Sequence, residues 1–307
     1  DFSSLGMRYR ETDVTRSVAF PGEDYFVVFD RMRSLDTHDY GFNLVGRGTQ
    51  SVLTDTPAMM QVAWEHGGEQ AIEHLVSTHD MSLATSSIWM HDAFDEFEET
   101  QRMTATITAA DASFLSIIET AGAGSPSRFE IARLASNQEF IGLEVRDAAA
   151  GWTDTILAQW TTIERTVGPL TSDAPYAYSR VVGGELTGSL IVDGTSFWYG
   201  GQRVLTTSDA VTLSMLYDDD QLLGTLSDDG LIPGTELTLY GLNIVSATLD
   251  GVPLAFSNQA GYGQLVLDAG GSLAISVFSV PEPASALLLV VGSVGTILLG
   301  RRCARRS

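Results

Sequence analysis

Along most of this chain, apolar residues recur at every second position in short runs, and almost nowhere do they keep the three-and-four spacing of a helical stripe. In "VTLSML", Val211, Leu213 and Met215 fall on one side and Thr212, Ser214 and Leu216 on the other. In "LAISV", Leu273, Ile275 and Val277 do the same. Side chains on an extended chain alternate between two faces, so this period builds sheet surfaces and denies a helix a continuous apolar face. "YFVVFD" (Tyr25–Asp30) is apolar on both faces, as expected of a strand covered from two sides. "TATITA" and "FLSIIET" add β-branched runs. Asp193-Gly194, Asp250-Gly251 and Gly270-Gly271 read as turns between strands. Only Glu69–Val76 admits a helix, and it reads equally well as a strand. The expected class is all-β, with sandwich layers.

A chain of 307 residues is long enough for one large or two ordinary domains. "GPLTSDAPYAYS" (Gly168–Ser179) holds two prolines among small polar residues, so 171–179 is expected to link a first β region, 1–170, to a smaller one, 180–279. There are 39 acidic residues against 17 Arg, and Lys is absent. Residues 1–50 hold six Arg and eight acids, whereas 51–280 hold seven Arg and thirty acids. So negative a body repels phosphate backbones and anionic lipid surfaces, which argues against nucleic acid as a partner. The lone Cys303 leaves the body without disulfides.

Several residue groups merit weighing as sites. Of His38, His66, His74, His79 and His91, four fall close together in sequence, yet no HExxH and no helical i, i+4 pair is present, so no metal ligand is assigned. Asp218–Asp220 and Asp228–Gly230 carry the hard oxygens calcium prefers but lack a binding-loop pattern; solvated turns account for them. There is no GxSxG and no phosphate loop, and Asp92–Glu99 is a contiguous acidic run without the spacing of a glycosidase pair. No catalytic residue is assigned. Arg8 with Arg10, and Arg31 with Arg33, are two apart in strand-like runs, which puts each pair on one face. Paired guanidinium groups suit the carboxylate of a uronic acid; pairing with the chain's own acids is the competing account. Trp64, Trp89, Trp152, Trp160 and Trp198 offer either stacking planes for sugar rings or core packing.

The C-terminus differs from the rest. Ala284–Gly300 carries no charge and as a helix would run about 25 Å, close to a bilayer's hydrocarbon thickness. Arg301, Arg302, Arg305 and Arg306 follow it and would stay on the cytoplasmic side, leaving the body outside. Pro281 and Pro283 hinge it from the preceding strand. Pro281-Glu282-Pro283, an apolar stretch at 284–300 and the terminal arginines together resemble the PEP-CTERM sorting signal, over residues 280–307. That resemblance implies a Gram-negative exported protein held transiently in the inner membrane, processed by an exosortase, and delivered to the cell surface or extracellular matrix.

"RSVAFPGEDYFVVFDRMRSLDTHDYGFNLVGRG" (Arg16–Gly48) resembles the heparinase II/III-like polysaccharide lyases, in which a strand ending in Asp-Arg precedes a histidine-containing turn and a second strand. Here these are Phe26–Asp30, Arg31, His38 and Phe42–Val45. "ATITAADASFLSIIETAG", "GSLIVDG" and "VSATLDGVPLAF" extend the likeness to about residue 278. It implies a sandwich region at 1–170, incomplete on its N-terminal side, and a smaller β domain, followed by one short transmembrane helix. The family's toroid, with its Tyr, His and zinc ligands, would precede residue 1, so no zinc or catalytic residue is carried over. A sorting signal also calls for an export leader, and the sequence begins at Asp1 without one or a start Met; a longer parent is expected. The implied reaction of that parent is β-elimination on a uronate-containing glycan, with this chain supplying a non-catalytic wall and Arg31, Arg33 and His38 as glycan contacts. The alternative is a non-enzymatic surface or matrix protein with a glycan-binding sandwich.

Overall fold

The computed structural model describes residues 2–279 except 10–11, 47, 94–95 and 219; the side chains of residues 2–9, 90–93, 96–98 and 278–279 are likewise outside the description. Pro281, Glu282, Pro283, the 284–300 segment and Arg301, Arg302, Arg305 and Arg306 lie outside the described residues, as do the side chains of Arg8 and Arg10. The chain is all-β with two antiparallel sheets. Among the described residues no helix is long and apolar enough to cross a membrane. The chain divides into two compact units between Ser189 and Leu190.

In the first unit, β1 (Phe2–Tyr9), β2 (Thr12–Ala19), β3 (Phe26–Val45), β4 (Thr49–Asp55), β5 (Met59–His66), β6 (Glu69–Ser77), β7 (Ser82–Ala93) and β8 (Glu96–Gly122) form one sheet. Its order is β1-β2-β3-β8-β6-β5-β4, with β7 also on β8. The segment that admitted a helix is thus strand β6. The two strands expected at Phe26–Asp30 and Phe42–Val45 are one, and the expected histidine turn between them is a register irregularity from Arg33 to His38. Pairing with β8 on both sides of that irregularity keeps the strand going where the local sequence suggested a break. Met32, Phe42, Leu44, Met60, Val62, Trp64, Leu75, Met103, Ile107 and Phe114 form a core on one face of this sheet.

The unit continues with β9 (Glu130–Asn137), β10 (Phe140–Asp147), β11 (Trp152–Gln159), the β12 (Arg165–Val167) and β13 (Leu170–Ser172) hairpin, and β14 (Tyr176–Val182). β10 pairs β9 and β11, and β11 pairs β14. The stretch 171–179, expected as a linker, is packed: Ser172, Ala174, Tyr176 and Ala177 are buried, and the Gln159 amide donates to the Ala174 carbonyl at 2.9 Å. Pro175 lies in the turn between β13 and β14, and the chain changes unit some residues later.

β15 (Glu185–Tyr199) carries the chain into the second unit, which holds β16 (Gln202–Asp218), β17 (Gln221–Leu226), β18 (Thr235–Tyr240), β19 (Leu242–Leu249), β20 (Val252–Pro253), β21 (Phe256–Gln259), β22 (Tyr262–Leu267) and β23 (Gly271–Ser279). β16 pairs β18 through Leu205–Thr207 and β17 through Leu213–Asp218, so one long strand serves two groups of partners. Val211, Leu213 and Met215 are buried and Leu216 is exposed, and Leu273, Ile275 and Val277 are buried, as their spacing predicts. Asp250-Gly251 lies between β19 and β20 as expected, and of Gly270-Gly271 the first lies between strands while Gly271 opens β23. Asp193-Gly194 does not separate strands: it sits inside β15, where Asp193 takes a left-handed φ of 52°. Aspartate tolerates that conformation, and the Thr212 hydroxyl lies 3.3 Å from the Asp193 amide nitrogen and accepts from it.

Candidate functional site

The first unit holds the expected arginine pair. Arg31 and Arg33 lie two apart on β3, opposite Ser113 and Asp111 of β8, and therefore share a face. Just past β11, Trp160 is anchored by its backbone N–H, which donates to the Glu139 carbonyl at 3.0 Å. Both guanidinium groups approach its ring, with Cζ at 5.8 Å for Arg31 and 5.9 Å for Arg33 from the centroid. Arg31 also lies 5.6 Å from the Phe29 ring. These are cation–π distances, which hold a cation near an aromatic plane without neutralising it. Arg33 is mostly exposed and stands 3.6 Å from a half-exposed Asp111, too long for a strong charge-assisted bond. His38 takes other partners: Nε2 lies 2.9 Å from the Ser34 hydroxyl, and its ring is edge-on to Tyr40 at 6.1 Å. The tryptophan was legible only as one of five; what brought it to the arginines is the packing of the unit.

The same unit holds a cleft of about 450 Å³ lined by Val45, Gly46, Trp64, His66, Glu73 and Thr120, among others. Register explains its make-up: Trp64 pairs Ala71, and Glu73 pairs Ile118, so these side chains project from one face. Gly46 leaves room for the indole, since a Cβ there would stand 2.3 Å from Trp64 Cγ. The Glu73 carboxylate accepts from Ser116, and burial pushes its pKa up to about 7 against the opposing pull of that hydrogen bond and of Arg16. Arg16 itself is held bidentately by Asp30, at 2.7 and 2.6 Å. The Asp30 of the resemblance motif is therefore engaged in an ion pair on the strand.

A second polar layer lies on the other face of β6 and β8. His74 Nε2 is 3.0 Å from Glu119 Oε1, Ser127 donates to the same carboxylate oxygen, and the Arg128 amide donates to Oε2 at 3.0 Å. A serine, a histidine and a carboxylate thus meet. The imidazole, however, faces both partners through Nε2, so it does not stand between them as a proton relay requires. Nearby, Arg180 grips Asp154 with two bonds of 2.8 Å and reaches Asp24 at 2.7 Å, while the Tyr25 hydroxyl donates to Asp154 at 2.7 Å. Burial pushes the Asp154 carboxyl up, and the Arg180 hydrogen bonds and charge oppose that push. Arg128 bridges Asp147 and Asp24. This layer is a satisfied network that ties strands together. Burial lowers the His79 pKa, and its Nδ1 lies 3.0 Å from the Thr78 hydroxyl. Among the described residues no group of three or more His, Cys, Asp or Glu side chains is placed to hold a metal ion.

The class these observations define is an all-β protein that carries, in its first unit, an exposed Arg33 and a half-buried Arg31 beside a half-buried Trp160. No family model matches the chain, and no curated protein matches it. Among solved structures it is similar to the chondroitin AC lyase of Streptomyces coelicolor A3 in complex with chondroitin sulphate, at 12% identity and a TM-score of 0.43 over 91% of this chain. The aligned part is 35% of that enzyme, so the chain spans about a third of its length. A likeness of that degree bears on no residue or reaction of this chain.

Proposed function

We propose that this chain is the non-catalytic, glycan-binding β portion of an exported, surface-sorted polysaccharide lyase homologue, with uronate-containing glycans as ligands. The observation that carries the binding reading is the Arg31–Trp160–Arg33 group. A guanidinium takes a carboxylate in two parallel hydrogen bonds, and an indole plane takes the C–H face of a pyranose; a uronate presents both at once. On so acidic a body, an exposed cationic group such as this one is where a polyanion is attracted rather than repelled. Export, exosortase processing and passage to the cell surface or matrix rest on the resemblance at 280–307. The β-elimination belongs, in this reading, to residues of a longer parent.

The test is calorimetric titration of the chain with an oligomannuronate. Trp160→Ala and Arg33→Ala are each expected to weaken binding about tenfold, about 1.4 kcal/mol. Unchanged affinity in both variants would remove the binding reading. Incubated with alginate or heparan sulfate, the chain is expected to release no unsaturated uronate, read by ultraviolet absorbance. The longer parent should release it. A parent that binds but does not cleave would mark a surface or matrix adhesion protein, the reading that the binding group supports by itself.

A further inference from the structure

The second unit carries its own cation and aromatic group, in which Trp198 is joined by Arg203, Tyr240 and Tyr262, residues that the sequence motifs did not mark. β15 ends at Trp198-Tyr199, and Gly200 and Gly201, with φ of 60° and 79°, turn the chain straight into β16. That tight reversal, open to glycine at both positions, brings Arg203 back over Trp198, with Cζ 4.4 Å from the ring centroid. The same guanidinium lies 5.2 Å from the Tyr240 centroid and donates through Nη1 to the Tyr240 hydroxyl at 3.3 Å. Thr206 Oγ1 lies 3.2 Å from that hydroxyl. Tyr240 pairs Tyr262 across the β18–β22 ladder, and their rings stand 6.0 Å apart.

Register shows which way the tyrosines face, and the contacts of Arg203 with Tyr240 bring its guanidinium to them. Leu205, Leu237, Leu239 and Leu265 are buried on the inner side of these strands. Thr206, Thr238, Tyr240, Tyr262 and Gln264 alternate with them and so line the outer side. Arg203 is exposed, and among the described residues no carboxylate pairs with it. Residues 51–280 hold thirty acids and seven arginines, and four of those arginines, Arg128, Arg146, Arg165 and Arg180, take a carboxylate partner. Arg203 is held by two rings and a phenol instead. A guanidinium fixed in that way has less freedom to lose on binding and keeps its charge for an incoming anion.

We infer that the outer face formed by Trp198, Arg203, Tyr240 and Tyr262 is a second binding site, for the carboxylated sugar unit of an acidic glycan. The carboxylate pairs with Arg203, and the ring lies along the tyrosine pair. Glu236, on the same face and held by the Gln264 amide at 2.8 Å, accepts from sugar hydroxyls and sets the anionic end toward Arg203. This site does not depend on the first unit's arginines. Two weak sites on one chain would raise its avidity for a polymer that reaches both.

The experiment titrates the full chain with trimannuronate and with its carboxyl-reduced counterpart, for the wild type, Arg203→Ala, Arg203→Lys, Tyr262→Ala and Arg33→Ala. Circular dichroism and melting curves check that each variant is folded. The wild type is expected to show two binding events with the acid trimer and at least about tenfold weaker binding of the reduced one. Arg203→Ala and Tyr262→Ala should each remove one event; Arg203→Lys, with the charge but not the fork, should retain it about fivefold weaker. Unchanged binding in Arg203→Ala and Tyr262→Ala, or equal binding of the two trimers, would overturn the inference. Loss of an event in Arg203→Ala but none in Arg33→Ala supports this site and sinks the first; the converse sinks this one alone.

Discussion

Glu73 shows how one residue's environment outruns what its neighbours in sequence disclose. It sits on a strand face that also carries Ala71 and Leu75, and folding buries most of its carboxyl from water at the wall of the cleft. Its pKa rises from 4.5 to about 7. A raised carboxyl pKa means that the folded chain binds the proton more tightly than the unfolded one. The associated stability is present below about pH 4.5 and is lost as pH climbs through about 7. The full difference is about 3 kcal/mol on the usual conversion. Glu73→Gln keeps an acceptor for Ser116 and removes the titration. It should raise stability by about that amount at pH 8 and change little at pH 4, as measured by urea unfolding at both values. The sequence showed Glu73 only as a charge in an ambiguous strand. Its burial depends on the pairing of Glu73 with Ile118, a partner forty-five positions away.

Among elements, the informative ones are the long strands. β3 and β8 pair from Phe26↔Ile118 through Val45↔Arg102, and each half of β8 has its own third partner, β6 or β7. Alternation announced strands in both regions, but each half looked like a separate strand because the irregularity at 33–38 breaks the period. The element ties are ionic as well as apolar. Asp154 of β11 is fully buried between Arg180 of β14 and the Tyr25 hydroxyl ahead of β3. Removing one partner of such a pair leaves a charge without water or counter-ion, at a cost of about 3–5 kcal/mol. Arg180→Ala, which strips the buried Asp154 of its counter-ion, should therefore lower stability by that range in urea unfolding, while Arg146→Ala, whose pair with Glu144 is half-exposed, should change it by less than about 1 kcal/mol. Nothing in the spacing of 24, 25, 154 and 180 marks them as neighbours.

For the whole molecule, charge is the property the sequence conveys most directly. A formal net charge of −22 means self-repulsion in the folded state, relieved by counter-ions. Raising sodium chloride from low to physiological strength should raise the melting temperature, and duplex DNA should not be retarded by the chain in a gel shift at either strength. The sequence by itself determined the all-β class, the buried face of strands such as Val211–Met215, the turns at Asp250-Gly251 and Gly270-Gly271, and the common face of Arg31 and Arg33. All of these follow from neighbours a few residues apart and from the fixed alternation of an extended chain. Only the tertiary structure decided that 171–179 packs within a unit, that Trp160 joins Arg31 and Arg33, that Arg203 lies on Trp198 and Tyr240, and that Glu73 faces a cleft. Those outcomes depend on which strand pairs with which and in what register. Pairing is settled by the burial of apolar surface across the whole unit, over sequence distances at which local pattern carries no signal.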